Sequence, residues 1–161
     1  MKTLTVRIVI GLMAIQLLSI SCKKDDPAPT TSLSTSTLEG NWVVSSGEGT
    51  EWKEGSGVIT PRAADPSLVG YKFTITGTTI TVKDITGATV LGPIAYTLDA
   101  ATGVITAGNG ASGLGVYTIK NFVAGATMDW DQREPIAEDY EPQSGCGCNL
   151  AFQKFLKFAK M

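Results

Sequence analysis

Alternating apolar and polar residues predict that the middle of the chain is β-structure. Tyr71, Phe73 and Ile75 occupy every second position and would share one face of a strand, while lysine and threonine occupy the other face. Residues 79–85 repeat this alternation after a Gly-Thr turn. Turn residues then recur about every eight to twelve positions as far as residue 131, which is typical of an antiparallel all-β domain, either a sandwich or a barrel.

Three segments carry a less regular pattern. Residues 48–57 are polar and glycine-rich, which predicts a loop. A Gly92-Pro93 pair interrupts a later apolar run and predicts that a strand bends or restarts there. Residues 149–161 fit both a strand and an amphipathic helix, so we interpret 150–154 as a strand and leave the rest of the tail open between the two.

A short apolar run at the N-terminus has the length of a signal peptide rather than that of a membrane-spanning helix. It covers residues 8–20, about thirteen residues where a spanning helix needs about twenty, and it follows the positive charges of Lys2 and Arg7. Ser21 and Cys22 follow the run, and residues 23–26 read Lys-Lys-Asp-Asp. An apolar leader therefore gives way to a charged segment at a cysteine.

This N-terminus resembles the signal of Bacteroidetes-type lipoproteins, which are cut before a cysteine that carries acyl chains such as palmitate. The resemblance implies a signal peptide over 1–21 and a lipid anchor on Cys22. Residues 22–37 are rich in Pro, Ser and Thr, lack the apolar residues needed to pack, and are predicted to form a disordered tether. The Lys-Asp-Asp sequence after the cysteine resembles a surface-export signal. We therefore expect the protein on the outer membrane at the cell surface, with the periplasmic face as the alternative.

The remaining part, 38–161, resembles the lipocalin-like domains of small Bacteroidetes lipoproteins. It begins Leu-Glu-Gly-Asn-Trp at 38–42 after a polar tether and continues in successive hairpins. The resemblance implies an all-β, up-and-down antiparallel barrel of about eight strands, in which Trp42 plugs the closed end against Arg133 and residues 150–154 close the barrel. An eight-stranded barrel is either filled by its side chains or holds one small ligand.

Candidate ligand contacts come from the aromatic residues of this barrel. Tyr71, Phe73 and Tyr96 would line an interior cavity for a small apolar ligand, and Trp52 would lie at its entrance. Trp52 or Trp130 could instead stack on a sugar at the surface.

Composition narrows the chemistry that the chain can perform. It has no histidine, which removes Ser-His-Asp and Cys-His nucleophile systems and histidine metal sites. Loss of Lys2 and Arg7 with the leader takes the basic residues from 13 to 11 against 15 acidic ones, a net charge of −4, which argues against nucleic acid as a partner. The carboxylates of 129–141 fit no metal-loop spacing and are interpreted as a solvated acidic edge. We therefore expect no enzyme activity, cofactor or metal.

Two cysteines, Cys146 and Cys148, remain once Cys22 is acylated. Since one residue separates them, they could form a local disulfide, pair between molecules or stay free. We favour a local disulfide without a catalytic task, because reactive dithiols usually have the C-x-x-C spacing beside a helix start.

The sequence thus predicts a membrane-anchored, non-catalytic binding or accessory module. Its partner would be either an outer-membrane protein complex, near which the anchor and tether would concentrate it, or a small apolar ligand inside the barrel. A carbohydrate-binding surface lipoprotein is the alternative.

Overall fold

The computed structural model of the protein describes residues 32–108 and 113–161. The predicted signal peptide of 1–21 and the predicted lipidation site at Cys22 lie outside these residues. In the part that is described, no helix is both long and apolar enough to cross a membrane.

Ten β-strands make up most of the described chain, preceded by a one-turn helix, α1, at Thr35–Leu38. Two 3-10 turns lie between strands, at Pro66–Leu68 and Ala137–Asp139. In chain order the strands are β1 (Gly40–Lys53), β2 (Gly57–Ala64), β3 (Lys72–Ile75), β4 (Thr79–Lys83), β5 (Thr89–Asp99), β6 (Val104–Ala107), β7 (Gly115–Val123), β8 (Thr127–Gln132), β9 (Glu141–Gln143) and β10 (Cys148–Lys160).

Eight of the strands close into one antiparallel barrel. They follow the order β1-β3-β4-β5-β6-β7-β8-β10, and β10 pairs back onto β1, from Trp42 opposite Lys160 to Lys53 opposite Leu150. Closing the sheet joins the two edges that an open sheet would leave unpaired. The predicted fold class, a small all-β antiparallel barrel of eight strands, is confirmed.

The hairpins of the barrel follow the predicted turns. Phe73, Ile75 and Ile80 point inward and are buried, as their alternation predicts. Strand β5 continues through the Gly92-Pro93 pair, so it does not restart there, and the irregularity at this point fits the alternative of a bend. Its register with β4 shifts at this point, and Gly92 is needed because it has a φ of +97° and a Cβ there would lie 2.4 Å from the Ile80 carbonyl oxygen.

Strands β1 and β10 run on past the barrel and carry a four-stranded extension. β2 pairs with the second half of β1, and β9 pairs with the first residues of β10, so the extension has the order β2-β1-β10-β9. The predicted loop over 48–57 is therefore wrong: β1 continues to Lys53, because β2 and β10 offer hydrogen-bond partners on both of its sides. The predicted strand over 150–154 is confirmed, and the rest of the tail, which was left open between strand and helix, is also strand as far as Lys160, because β1 pairs with it.

Helix α1 closes one end of the barrel. Ser34 and Thr37 form a capping box that starts the helix, and Leu38 at its end is fully buried. The Trp42 indole Nε1 donates a 2.8 Å hydrogen bond to the Leu38 carbonyl oxygen. The Lys160 ammonium lies 4.3 Å from the centroid of the Trp42 ring, within the range of a cation–π contact.

The prediction that Arg133 packs against Trp42 is wrong. Arg133 lies at the opposite end of the barrel, where it pairs with Asp139 at 2.7 Å. Lys160 covers Trp42 instead, because the register of β1 and β10 places the two residues opposite each other.

Folded structure extends into the predicted tether. Leu33 and the first three residues of helix α1 belong to the segment 22–37 that was expected to be disordered, yet Leu33 packs against the barrel core. A serine-threonine sequence folds here because the capping box satisfies its first backbone N–H groups and Leu38 anchors it in the barrel.

Aromatic side chains fill the interior of the barrel. Phe73 meets Trp130 edge-on at a centroid distance of 5.8 Å and Phe158 at 5.0 Å, and Trp130 lies 5.1 Å from Phe158. Tyr117 adds a fourth ring, 5.4 Å from Trp130. The other buried members of this core are Leu38, Trp42, Val44, Ile75, Ile80, Val82, Tyr96, Ile105, Ala107, Ile119, Met128 and Leu156.

Truncating the central ring should cost much of the stability. We expect Phe73→Ala to lower the free energy of unfolding by about 3–5 kcal/mol, because it removes buried contacts and leaves a cavity. Urea denaturation measures the change, and Phe152→Ala is the matched control, expected within about 0.5 kcal/mol because its ring is 57% exposed. If Phe73→Ala does not fold, Phe73→Leu gives a smaller loss to measure; equal losses for Phe73→Leu and Phe152→Leu would contradict a filled core.

Stability should also fall at alkaline pH. Burial raises the pKa of Tyr117 to about 12 from an ordinary value of 10.0, so above pH 10 the unfolded chain loses a proton that the folded chain keeps. The contribution is fully present below about pH 10 and is lost towards pH 12, roughly 3 kcal/mol at most. Urea denaturation at several pH values measures it, and Tyr117→Phe should reduce the slope. An unchanged slope in that variant would contradict the assignment.

Candidate functional site

The two ends of the barrel differ in what covers them. At the closed end α1 lies against two turns: a Cβ on Gly103 would lie 3.8 Å from Leu33, and one on Gly77 would lie 3.0 Å from the Glu39 carboxylate. At the other end, called the open end below, lie the β4–β5 turn, the connections after β6 and β8, and the four-stranded extension.

The four aromatic residues predicted to contact a ligand do not converge on one cavity. Phe73 is 1% exposed and is enclosed by other core rings. Tyr96 is buried near the closed end, where its hydroxyl donates a 2.8 Å hydrogen bond to the Thr76 carbonyl oxygen. Tyr71 lies just before β3 and is half-buried against the core. Trp52 lies on the extension.

Burial also affects the pKa of the Tyr96 hydroxyl. It raises the pKa of Tyr96, with a smaller contribution from the charge of Glu39. A hydroxyl that stays protonated and is already bonded to the backbone is a structural group rather than a ligand contact.

A hollow, called the mouth hollow, lies at the open end of the barrel. It has a volume of about 560 Å³. Its apolar lining consists of Leu114, Val116, Pro135, Leu150 and Phe152, and the Phe152 ring is 57% exposed. The Phe152 ring is apolar surface that lies open to contact at this end of the barrel.

Acidic residues surround the mouth hollow. Glu138 and Glu141 lie on its rim and are exposed. Asp139 is engaged: it accepts a 2.8 Å hydrogen bond from the Ile136 N–H and pairs with Arg133. Burial alone would raise the pKa of Asp139, but these hydrogen bonds and the charge of Arg133 outweigh burial and lower it. The one cation of the rim is therefore neutralised, and the rim carries net negative charge.

A second concave feature, called the outer groove, lies between β2 and the outside of the barrel wall. Its volume is about 480 Å³. Arg62 on β2 reaches across to β8 and β10: its guanidinium lies 3.4 Å from the centroid of the Phe155 ring and 3.2 Å from the Asp131 carboxylate. Lys120 on β7 shares the same Asp131 oxygen at 2.6 Å. These contacts fold β2 over the barrel wall and define the groove.

Hydrogen bonds hold the floor of the outer groove. The Trp52 indole donates to Gln153 Oε1 at 3.0 Å, and Gln153 Nε2 donates to the Gln132 carbonyl oxygen at 2.7 Å. Gln153 and its neighbour Thr50 are buried polar residues. Because Gln153 is satisfied on both sides of its amide, its orientation and that of Trp52 are set before any ligand arrives.

Strand β10 contributes side chains to both the outer groove and the mouth hollow. Side chains of β10 alternate between two faces, so Gln153 and Phe155 line the outer groove while Leu150 and Phe152 line the mouth hollow. The segment 150–154 was predicted as a strand that closes the barrel. Its two faces line different features because it lies in the four-stranded extension.

Cys146 and Cys148 are joined by a disulfide in the turn between β9 and β10, with their Cα atoms 5.2 Å apart. The turn connects two strands that contribute Glu141, Gln143 and Leu150 to the mouth hollow. Because only one residue separates the two cysteines, the bridge constrains this turn itself. Among the described residues, no group of three or more carboxylate or cysteine side chains is placed to hold a metal ion.

Sequence reasoning missed the residues that build the outer groove. Arg62, Gln153 and Phe155 drew no functional prediction, and Trp52 was assigned to a loop. The segment 48–57 carries no local signal for a strand, because Trp52 is its one large apolar residue. Trp130, expected as a possible sugar contact, is fully buried and has no surface for a sugar.

Comparisons of the chain with protein-family models, with curated proteins and with solved structures find no match. The functional conclusion therefore depends on the geometry of the mouth hollow and the outer groove.

Proposed function

We propose that the protein is a lipid-anchored, non-catalytic accessory module that docks through its open end onto a protein complex of the outer membrane. The observation that carries the proposal is the contrast between the two ends of the barrel. The interior is packed, the closed end is sealed by α1, and the open end presents the exposed Phe152 in a hollow. A module with a filled interior would bind its partner through its outer surface.

The packed interior speaks against the other partner considered for the barrel. A small apolar ligand would need the space now taken by Phe73, Trp130 and Phe158. Native packing density leaves few voids larger than a water molecule, so binding would require the core to open.

The proposed lipid anchor is compatible with the same arrangement. The described chain begins at residue 32 beside the closed end, and the nine residues 23–31 reach at most about 35 Å from Cys22. An anchor on Cys22 would hold the closed end near the membrane and leave the open end accessible to a partner. A short connection of this kind raises the effective concentration of the module near a membrane complex.

Removing the lipid acceptor should release the protein from the membrane. We expect Cys22→Ser to abolish labelling by radioactive palmitate in cells and to move the protein out of the membrane fraction, since the acyl chains supply the anchoring free energy. The double variant Cys146→Ser, Cys148→Ser is the control for cysteine loss and should keep the label. Retention of label by Cys22→Ser would overturn the lipid anchor, and protease treatment of intact cells would separate surface display from the periplasmic face.

Docking can be tested with a photo-crosslinking amino acid placed in the full chain at two positions of equal exposure. We expect position 152 at the open end to yield one discrete protein adduct in membranes, and position 123 at the closed end to yield none. Phe152 and Val123 are 57% and 55% exposed, so accessibility does not distinguish them. Phe152→Asp should remove the complex, because an unpaired charge in a buried contact is costly.

Two results would count against docking at the open end. One is equal crosslinking from positions 152 and 123, which would indicate collision without a specific surface. The other is the absence of any protein adduct from position 152 in membranes where the full chain is correctly anchored.

A further inference from the structure

We infer that the outer groove is a binding site for a neutral saccharide. This inference goes beyond the proposed docking at the open end and does not depend on it. The groove is separated from the mouth hollow by strand β10 itself, whose alternate side chains face the two features.

The size and preorganisation of the outer groove fit a small ligand. Sites for small molecules usually measure about 300–1,000 Å³, and the groove measures about 480 Å³. Trp52 and Gln153 are fixed by their mutual hydrogen bond, and Arg62 is fixed between the Phe155 ring and Asp131. A ligand would thus meet side chains that need little reordering.

The charges of the groove nearly cancel, which favours an uncharged ligand. Arg62 and Lys120 carry positive charge, and Asp131 and Glu134 carry negative charge, all within the lining. Asp131 pairs with both cations. A phosphate or carboxylate ligand would compete with Asp131, and a cationic ligand would be repelled by Arg62 and Lys120.

The hydrogen-bonding pattern fits hydroxyl groups. Arg62 and Lys120 are half-exposed and retain free N–H donors beside the acceptor oxygens of Asp131. A hydroxyl both donates and accepts, so neighbouring hydroxyls on a sugar ring match donors and acceptors that lie side by side. Thr118 adds a further hydroxyl to the lining.

The apolar part of the groove suits the other face of a sugar. Trp52, Val58 and Pro61 supply carbon surface next to these polar groups. Sugar rings have C–H groups on one face and hydroxyls around the edge, so a ring placed on Trp52 would direct its hydroxyls towards Arg62 and Asp131. Indole is well suited to such contacts because it is large and rigid.

Tryptophan fluorescence offers a direct test, because Trp42 and Trp130 are fully buried and a ligand in the groove can act on Trp52 alone. The full chain, in a detergent without a sugar headgroup, would be titrated with neutral tetrasaccharides of α-1,4-glucan, β-1,4-glucan, β-1,4-mannan and β-1,4-xylan, and with tetragalacturonate as the acidic probe. We expect at least one neutral probe to change the emission with a Kd below about 1 mM, at least tenfold tighter than the acidic probe.

Matched lysine variants locate the site. Lys120→Ala should weaken the binding of that neutral probe at least fivefold, as measured by calorimetry, because it removes a donor beside Asp131. Lys83→Ala, an exposed lysine of β4 outside the groove, should leave the Kd unchanged. Both lysines are exposed, so loss of folding does not complicate the comparison.

The inference is overturned if no neutral probe binds at concentrations up to about 10 mM, or if Lys120→Ala and Lys83→Ala bind equally well. Preference for tetragalacturonate would also overturn it, in favour of an anion site. Crosslinking from position 152 should be the same in Lys120→Ala, so failure of the saccharide site and failure of docking at the open end give different results.

Discussion

The packing of Phe73, Trp130 and Phe158 inside the barrel is the interaction on which the rest of the structure depends. The three rings come from β3, β8 and β10, so their contact holds together strands that are far apart in the chain. Each buried aromatic side chain removes about 150–250 Å² from water, worth several kcal/mol at about 25 cal/mol per Å². The same rings occupy the space where a hollow barrel would hold a ligand.

The pairing of β1 with β10 is the second constraint. It closes the barrel and then continues past it, and that continuation supports β2 and β9. The extension creates two surfaces of different chemistry from one strand: an acidic, partly apolar hollow around Phe152 and a charge-balanced groove around Gln153 and Phe155. A barrel with shorter β1 and β10 strands would keep its core and lose both features.

Several local sequence signals were sufficient because they depend on near neighbours. Alternation predicted the inward positions of Phe73, Ile75 and Ile80, since adjacent side chains on a strand point to opposite faces. Other segments were predicted wrongly because their structure depends on distant parts of the chain. The polar segment 48–57 has no apolar alternation of its own, and it is partly strand because β2 and β10 pair with it from distant parts of the chain.

The sequence by itself determined the all-β class, the antiparallel order of the hairpins and the faces of the central strands, because periodicity and turn residues act locally. It also carried the expectation of a lipid anchor at Cys22, which rests on the leader alone. Only the tertiary structure decided that the barrel is filled, that Lys160 rather than Arg133 covers Trp42, and that Arg62 meets Asp131 and Phe155. These outcomes depend on the register between β1 and β10 and on the volumes of side chains from distant strands, and neither can be read from neighbouring residues.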